Sequence, residues 1–177
     1  MPRFTEETKA RIDTLVARYP DPKAALLPAL WVAQEAYEGW LPPEAMREVA
    51  EHLGVPESDV AGVATFYTMY NKAPIGSHCI EICQNVSCML LGADALIAHA
   101  ESRLGISAGE TTADGKFTLA RVECLGACCH APAVQVGARY HENVTPDRLD
   151  QVISELDGAP SEVANPPQAA MPEQTAF

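Results

Sequence analysis

Over the first seventy positions, apolar residues recur every three to four places. From about residue 78 they begin to alternate. The first pattern predicts helices and the second predicts strands. Ile12, Leu15, Val16 and Tyr19 share one face of a first helix, with Thr5 as its N-cap and Pro20 as its stop. Residues 23–37 repeat the pattern through Leu26, Leu27, Leu30, Trp31 and Ala33; Pro28 should start or kink that helix, and Gly39 ends it. Pro42 and Pro43 open a third helix, with Met46, Val49, Ala50 and Leu53 on its face and Gly54 at its end. Pro56, Ser58 and Asp59 open a short fourth element running to Ala64. Short helices joined by tight connections make a small bundle.

Proline and glycine punctuate residues 71–76, where the period changes, and a domain boundary is expected there. His78 to Cys83 alternate as a strand. Residues 90–104 predict a helix, with Leu91, Ala95, Leu96, Ala98 and His99 among its positions and Gly105 as its stop. Asp114-Gly115 is a turn before a second strand over 116–122. Residues 133–136 and 139–141 form a hairpin around Gly137-Ala138, and Thr145-Pro146 cap a last helix through Leu149, Val152, Ile153 and Leu156. The expected class is α+β: a helical region over 1–73, a small sheet with helices over 74–157, and a tail over 158–177 whose Ala, Pro, Gln and Glu show no period.

The formal charge of −12 argues against nucleic acid and against an anionic membrane surface, both of which demand Lys and Arg. An acidic chain stays soluble alone or docks on a basic partner. The first residues carry Glu6 and Glu7 and no apolar segment, which reads as no secretory signal. The longest apolar stretches run about ten residues, against roughly 20 for a bilayer span. No direct membrane insertion is expected, and the cysteines should stay reduced or bind metal.

Four of those cysteines are paired by spacing: Cys83-Gln-Asn-Val-Ser-Cys88 and Cys124-Leu-Gly-Ala-Cys128. Cys83 closes the first predicted strand and Cys124 follows the second, so both loops can meet at one sheet rim. Four thiolates there suit an iron–sulfur cluster or a structural zinc ion. Gaps of four and three residues are longer than zinc pairs usually show, and the fold has a core of its own. Two ferric ions, two sulfides and four thiolates carry a double negative charge, and one electron adds a third, so amide N–H groups must face sulfur. Gly126, Asn85, Ser87 and Gly92 fit that need. The acidic balance lowers the reduction potential, which suits electrons that began as hydride on a nicotinamide. Cys79 reads as a small hydrophobe. Spacing leaves open which of the adjacent Cys128 and Cys129 is a ligand.

These residues resemble a known family, the 24-kDa-type (E) subunits of NADH:quinone oxidoreductase, respiratory complex I. The resemblance rests on the two cysteine motifs, the first continued by Met89-Leu90-Leu91-Gly92-Ala93 and the second by Ala131-Pro132. Ala64-Thr65-Phe66-Tyr67-Thr68-Met69-Tyr70, Asp114-Gly115-Lys116-Phe117 and Asn143-Val144-Thr145-Pro146 also carry it, over residues 5–157. It implies an N-terminal helical bundle followed by a thioredoxin-like domain with one [2Fe–2S] cluster on Cys83, Cys88, Cys124 and Cys128. It implies a subunit lying beside the flavin subunit, which binds FMN and oxidises NADH, and among other peripheral-arm subunits of the complex. Its place would be cytoplasmic, peripheral on the inner face of a bacterial membrane. Cys79, Cys129 and the tail depart from the family pattern. Related subunits occur in NAD-linked formate dehydrogenases and NAD-reducing hydrogenases.

From a different class, a zinc-stabilised interaction module shares the same ligands. A thiol–disulfide oxidoreductase lacks the Cys-x-x-Cys pair that such chemistry uses. Phe66, Tyr67, Met69 and Tyr70 read as core packing between the helical region and the sheet, with docking on a flavin subunit as the alternative. Trp31 and Trp40 read as core or rim. His130 reads as a solvated loop residue near the cysteines. No carboxylate pair and no glycine-rich phosphate loop is evident, so catalytic residues are not assigned and FMN or NADH would bind only through a partner.

Overall fold

A computed structural model describes residues 3–160 of the chain. It divides into two compact units, Met1–Pro74 and Ile75–Phe177. The expected tail lies, beyond residue 160, outside the described residues.

The first unit holds α1 (Glu6–Val16), α2 (Leu26–Ala36), α3 (Pro43–Leu53) and α4 (Glu57–Phe66). Thr5 caps α1, its hydroxyl accepting from the Thr8 N–H at 3.1 Å. A 3-10 turn, Pro22–Ala25, precedes α2. Pro28 therefore falls in the first turn of α2, where a missing N–H costs nothing. The apolar faces of all four helices meet in one core of Ile12, Leu26, Leu30, Leu41, Val49, Leu53, Val60 and Tyr70. Tyr19 lies beyond the end of α1 and is exposed, so that helix is a turn shorter than its apolar pattern suggests.

Of the aromatic stretch that begins at the end of α4, Tyr70 alone is buried, and it packs in the core of the helical unit. Phe66 is 77 % exposed, and Tyr67 and Met69 are each 37 % exposed. The helix period places Val60 and Ala64 inward, which turns Phe66 outward.

The second unit is a four-stranded sheet in the order β2-β1-β3-β4, formed by β1 (His78–Cys83), β2 (Phe117–Val122), β3 (Val134–Val136) and β4 (Arg139–His141). β1 and β2 run parallel, joined by α5 (Val86–Leu90) and α6 (Ala93–Leu104); β3 and β4 are antiparallel to their neighbours, and α7 (Pro146–Leu156) closes the unit. Ile80, Ile82, Phe117, Leu119, Val134 and Val136 pack with Leu96 and Ile97 of α6 and Leu149, Val152 and Ile153 of α7. Thr145 caps α7 as its sequence predicts.

The helix expected over 90–104 is two helices. Gly92, at φ +98°, breaks the chain after Leu91, and α6 then buries Ala93, Leu96, Ile97 and Ala100. A positive φ is easy for glycine and strained for other residues, so Gly92 allows the sharp change of direction. Residues 106–113, with no expected element, return to β2 and bridge Thr111 to Thr118.

Candidate metal centre

The parallel pairing of β1 and β2 brings the two cysteine segments to one place. Its register runs from His78 opposite Phe117 to Cys83 opposite Val122. Both strands therefore end at the same rim, and Cys124 follows two residues after β2. The rim is tied on both sides of β1: the Cys83 N–H donates to the Ala133 carbonyl at 3.1 Å, and the Gln84 N–H to the Val122 carbonyl at 2.9 Å. The Gln84 side chain donates to Glu123 at 3.0 Å, linking the two loops again.

The sequence places Cys88 just before a helix; it lies inside α5 and is 2 % exposed. That short helix turns Cys88 back toward Cys83. Both sulfurs sit in a small apolar cluster with Ala93, Ala131 and Ala133. Cys124 and Cys128 are exposed. Cys128 opens a 3-10 turn, Cys128–His130, fastened by the Asn143 N–H to the His130 carbonyl at 2.7 Å and the Val144 N–H to the Pro132 carbonyl at 3.0 Å. The Ala131–Pro132 peptide in this loop is cis.

Burial pushes the Cys88 thiol above its ordinary range. The neighbouring Cys83 and Cys128 push it the same way, and an N–H bond from Ala133 opposes them. Three of the four cysteines therefore feel one another. Cys124 is held differently: the Gly126 N–H donates to its sulfur at 3.3 Å, with Gly126 at φ +73°. Only a residue comfortable in that left-handed region turns the loop tightly enough to aim its amide at the preceding sulfur. Gly126 was legible in the sequence. Ala133 was not, because a backbone amide leaves no mark in the residue type.

All six cysteines are free thiols. Among the described residues, no three His, Cys, Asp or Glu side chains close round one ion position. A structural zinc ion needs four such ligands in a tetrahedron. A two-iron cluster likewise needs four protein sulfurs, two on each metal. Along the sequence, residues 84–102 and 122–138, which flank the four cysteines, contain no Lys or Arg. Amide dipoles such as those of Gly126 and Ala133 are left to face the sulfur.

Exposed apolar side chains flank the buried Cys88: Val86, Met89, Leu91 and Leu90, the last 75 % exposed. His130 is also exposed, its Nδ1 3.6 Å from Glu142, in line with the solvated reading. Cys79 lies in β1, and burial pushes its thiol up to about 12, so it is inert at neutral pH.

A small mixed sheet, helices packed against it and paired thiols at a strand-end rim together define an iron–sulfur protein on a thioredoxin-like scaffold. The chain belongs to the thioredoxin-like [2Fe-2S] ferredoxin family, whose model matches residues 12–157. It is 48 % identical over 151 residues to an E-type subunit of the NADH-quinone oxidoreductase of Rhizobium meliloti (strain 1021), covering 85 % of this chain and 89 % of that protein. It is 39 % identical over 150 residues to the E-type subunit of the NADH-quinone oxidoreductase of Pseudomonas aeruginosa (strain PAO1), covering 85 % and 90 %. Among solved structures it resembles a chain of the NAD+-reducing [NiFe]-hydrogenase in the H2-reduced state, with a TM-score of 0.62 and 24 % identity. That match covers 82 % of this chain but only 24 % of the solved one, and it speaks for the fold alone. The expected α+β architecture with a thioredoxin-like domain holds.

Proposed function

We propose that this chain is the electron-transfer subunit of an NADH:quinone oxidoreductase, with one [2Fe–2S] cluster held by Cys83, Cys88, Cys124 and Cys128. The observation that carries this reading is the delivery of two thiol pairs to one rim by parallel β1 and β2. Relatives at 48 % and 39 % identity bear the name of such a subunit, whereas the likeness to a hydrogenase stands at 24 %.

When bound, the group offers a place for one electron at a time. The chain's own residues set the conditions. Ala93, Ala131 and Ala133 keep water from the inner pair, while Cys124 and Cys128 face outward, where a partner can approach. The amides of Gly126 and Ala133 stabilise negative charge on sulfur, and the chain's acidic balance of −12 keeps the potential low. FMN and NADH belong to the neighbouring flavin subunit. That subunit is expected to approach the apolar surface around Leu90, and other peripheral-arm subunits complete the assembly. Among the described residues no helix is long and apolar enough to cross a membrane. Attachment to the inner face of the cell membrane is through the complex.

The test is anaerobic purification with metal analysis and spectroscopy. About two irons and two sulfides per chain are expected, with a brown colour and an S = 1/2 signal on dithionite reduction. A colourless protein with stoichiometric zinc would refute the reading.

A further inference from the structure

The two cysteine loops are joined by a pair of side chains that stand directly beside the thiols. Gln84 follows Cys83, and Glu123 precedes Cys124. They are 39 residues apart in the chain, yet the Gln84 Nε2 donates to the Glu123 Oε1 at 3.0 Å. The backbone is drawn together at the same point. The Gln84 N–H donates to the Val122 carbonyl at 2.9 Å, and the Cys83 thiol donates to the Glu123 carbonyl at 3.8 Å.

Loading the site changes this set. A cysteine that binds metal is a thiolate and has no proton to donate. The Cys83 bond to the Glu123 carbonyl therefore belongs to the metal-free chain. Of the two side-chain ties between residues 83–84 and residue 123, only that of Gln84 to the Glu123 carboxylate survives loading.

The surviving tie also fixes a charge. Glu123 is one of the acids that give the chain its −12. Among the described residues no Lys, Arg or His lies within ion-pair distance of it, and Gln84 is its side-chain partner. A Lys or Arg at position 84 would tie the loops equally well and cancel the charge. An amide ties them and leaves the charge standing.

Consecutive Cα atoms are about 3.8 Å apart, so the lengths of the two side chains keep the Glu123 carboxylate within about 12 Å of the Cys124 sulfur. Over that distance, with an effective dielectric between about 80 and 20, one fixed negative charge disfavours the uptake of one electron by about two- to tenfold. The electron enters a group that is already negative, so the carboxylate opposes reduction.

We propose that Gln84 and Glu123 are positioning residues for the metal group. The Gln84 amide clasps the Glu123 carboxylate across the two cysteine loops, which holds the Cys83 and Cys124 segments together and fixes beside them a negative charge that lowers the reduction potential. This inference deepens the reading of the chain as a [2Fe–2S] subunit and rests on it.

The test uses the full chain purified anaerobically with its cluster. Wild type is compared with Glu123→Gln, Gln84→Ala, Glu123→Ala and Asp157→Asn. A mediated dithionite titration followed by EPR at low ionic strength gives the potential, and the rate of iron loss to a chelator gives cluster retention. Glu123→Gln removes the charge and keeps an acceptor for Gln84. It should raise the equilibrium constant for one-electron reduction about two- to tenfold, or about 18–59 mV at about 59 mV per tenfold, with iron lost at the wild-type rate. Gln84→Ala keeps the charge and cuts the clasp, and iron should leave about tenfold faster. Glu123→Ala should show both effects. Asp157, which pairs with Lys116, lies at the opposite end of six-residue β2, roughly 20 Å from the rim, so Asp157→Asn should leave the potential unchanged. A Glu123→Gln constant within about 1.5-fold of wild type, or an equal shift in Asp157→Asn, would overturn the local charge. Iron loss at the wild-type rate from both Gln84→Ala and Glu123→Ala would overturn the clasp. Each of these results leaves the functional reading standing. A wild-type chain that is colourless or holds zinc overturns both.

Discussion

Gly76 lies where the chain enters the sheet unit, and its replacement by alanine tests how that unit is built. A Cβ at this position would stand 2.8 Å from the Phe117 carbonyl carbon and 2.9 Å from the carbonyl carbon and oxygen of Lys116. These are backbone atoms at the start of β2, so no side chain can swing away. The Gly76 N–H also donates to the buried Thr118 hydroxyl at 2.6 Å. Relieving the clash means moving the segment before β1 away from β2. Overpacking of this kind costs about 1–3 kcal/mol. Stretching or losing the buried hydrogen bond adds about 0.5–1.5 kcal/mol. The sum is roughly 2–4 kcal/mol, or a fall in unfolding temperature on the order of 5–15 °C for a chain of this size. Thermal unfolding followed by circular dichroism of the cluster-loaded protein measures it. The far end of β1 is tied separately to Ala133 and Val122, so iron content at low temperature should match wild type. An unfolding temperature within about 2 °C of wild type would show that the close approach at Gly76 does not hold this unit together.

Two other outcomes are expected. Cys128→Ser should abolish normal cluster assembly while Cys129→Ser leaves it intact, because Cys128 is the proposed ligand of the pair; visible absorption and iron analysis decide it, and swapped results would reverse the ligand choice. The Ala108 N–H and the Arg121 guanidinium hold the Glu101 carboxyl below its ordinary value of 4.5, and the Thr112 hydroxyl and Lys116 N–H hold Asp114 below 3.8. Both groups bind fewer protons folded than unfolded near these values, so their stabilisation is complete above about pH 4.5 and is lost as pH falls further. A urea titration from pH 6 to pH 3 should show that loss, and Glu101→Gln should flatten it; an unchanged slope would remove Glu101 from the account.

Much of this protein is written in its sequence, because periodicity and caps are local. The strand from His78 to Cys83, the Thr145 cap and the hairpin at Gly137-Ala138 need only neighbours a few residues away. The cysteine spacing marked the candidate donors in the same way. Tertiary structure decided what depends on residues far apart in the chain. The parallel register of β1 with β2 ends both strands at one rim, which brings together two cysteine loops that some forty residues separate. The turn at Gly92 placed Cys88 inside α5, and the packing of Val60 and Ala64 turned Phe66 out to solvent against its apolar character. A side chain's type states what it can do, but which way it faces is fixed only when the rest of the chain has chosen what to bury.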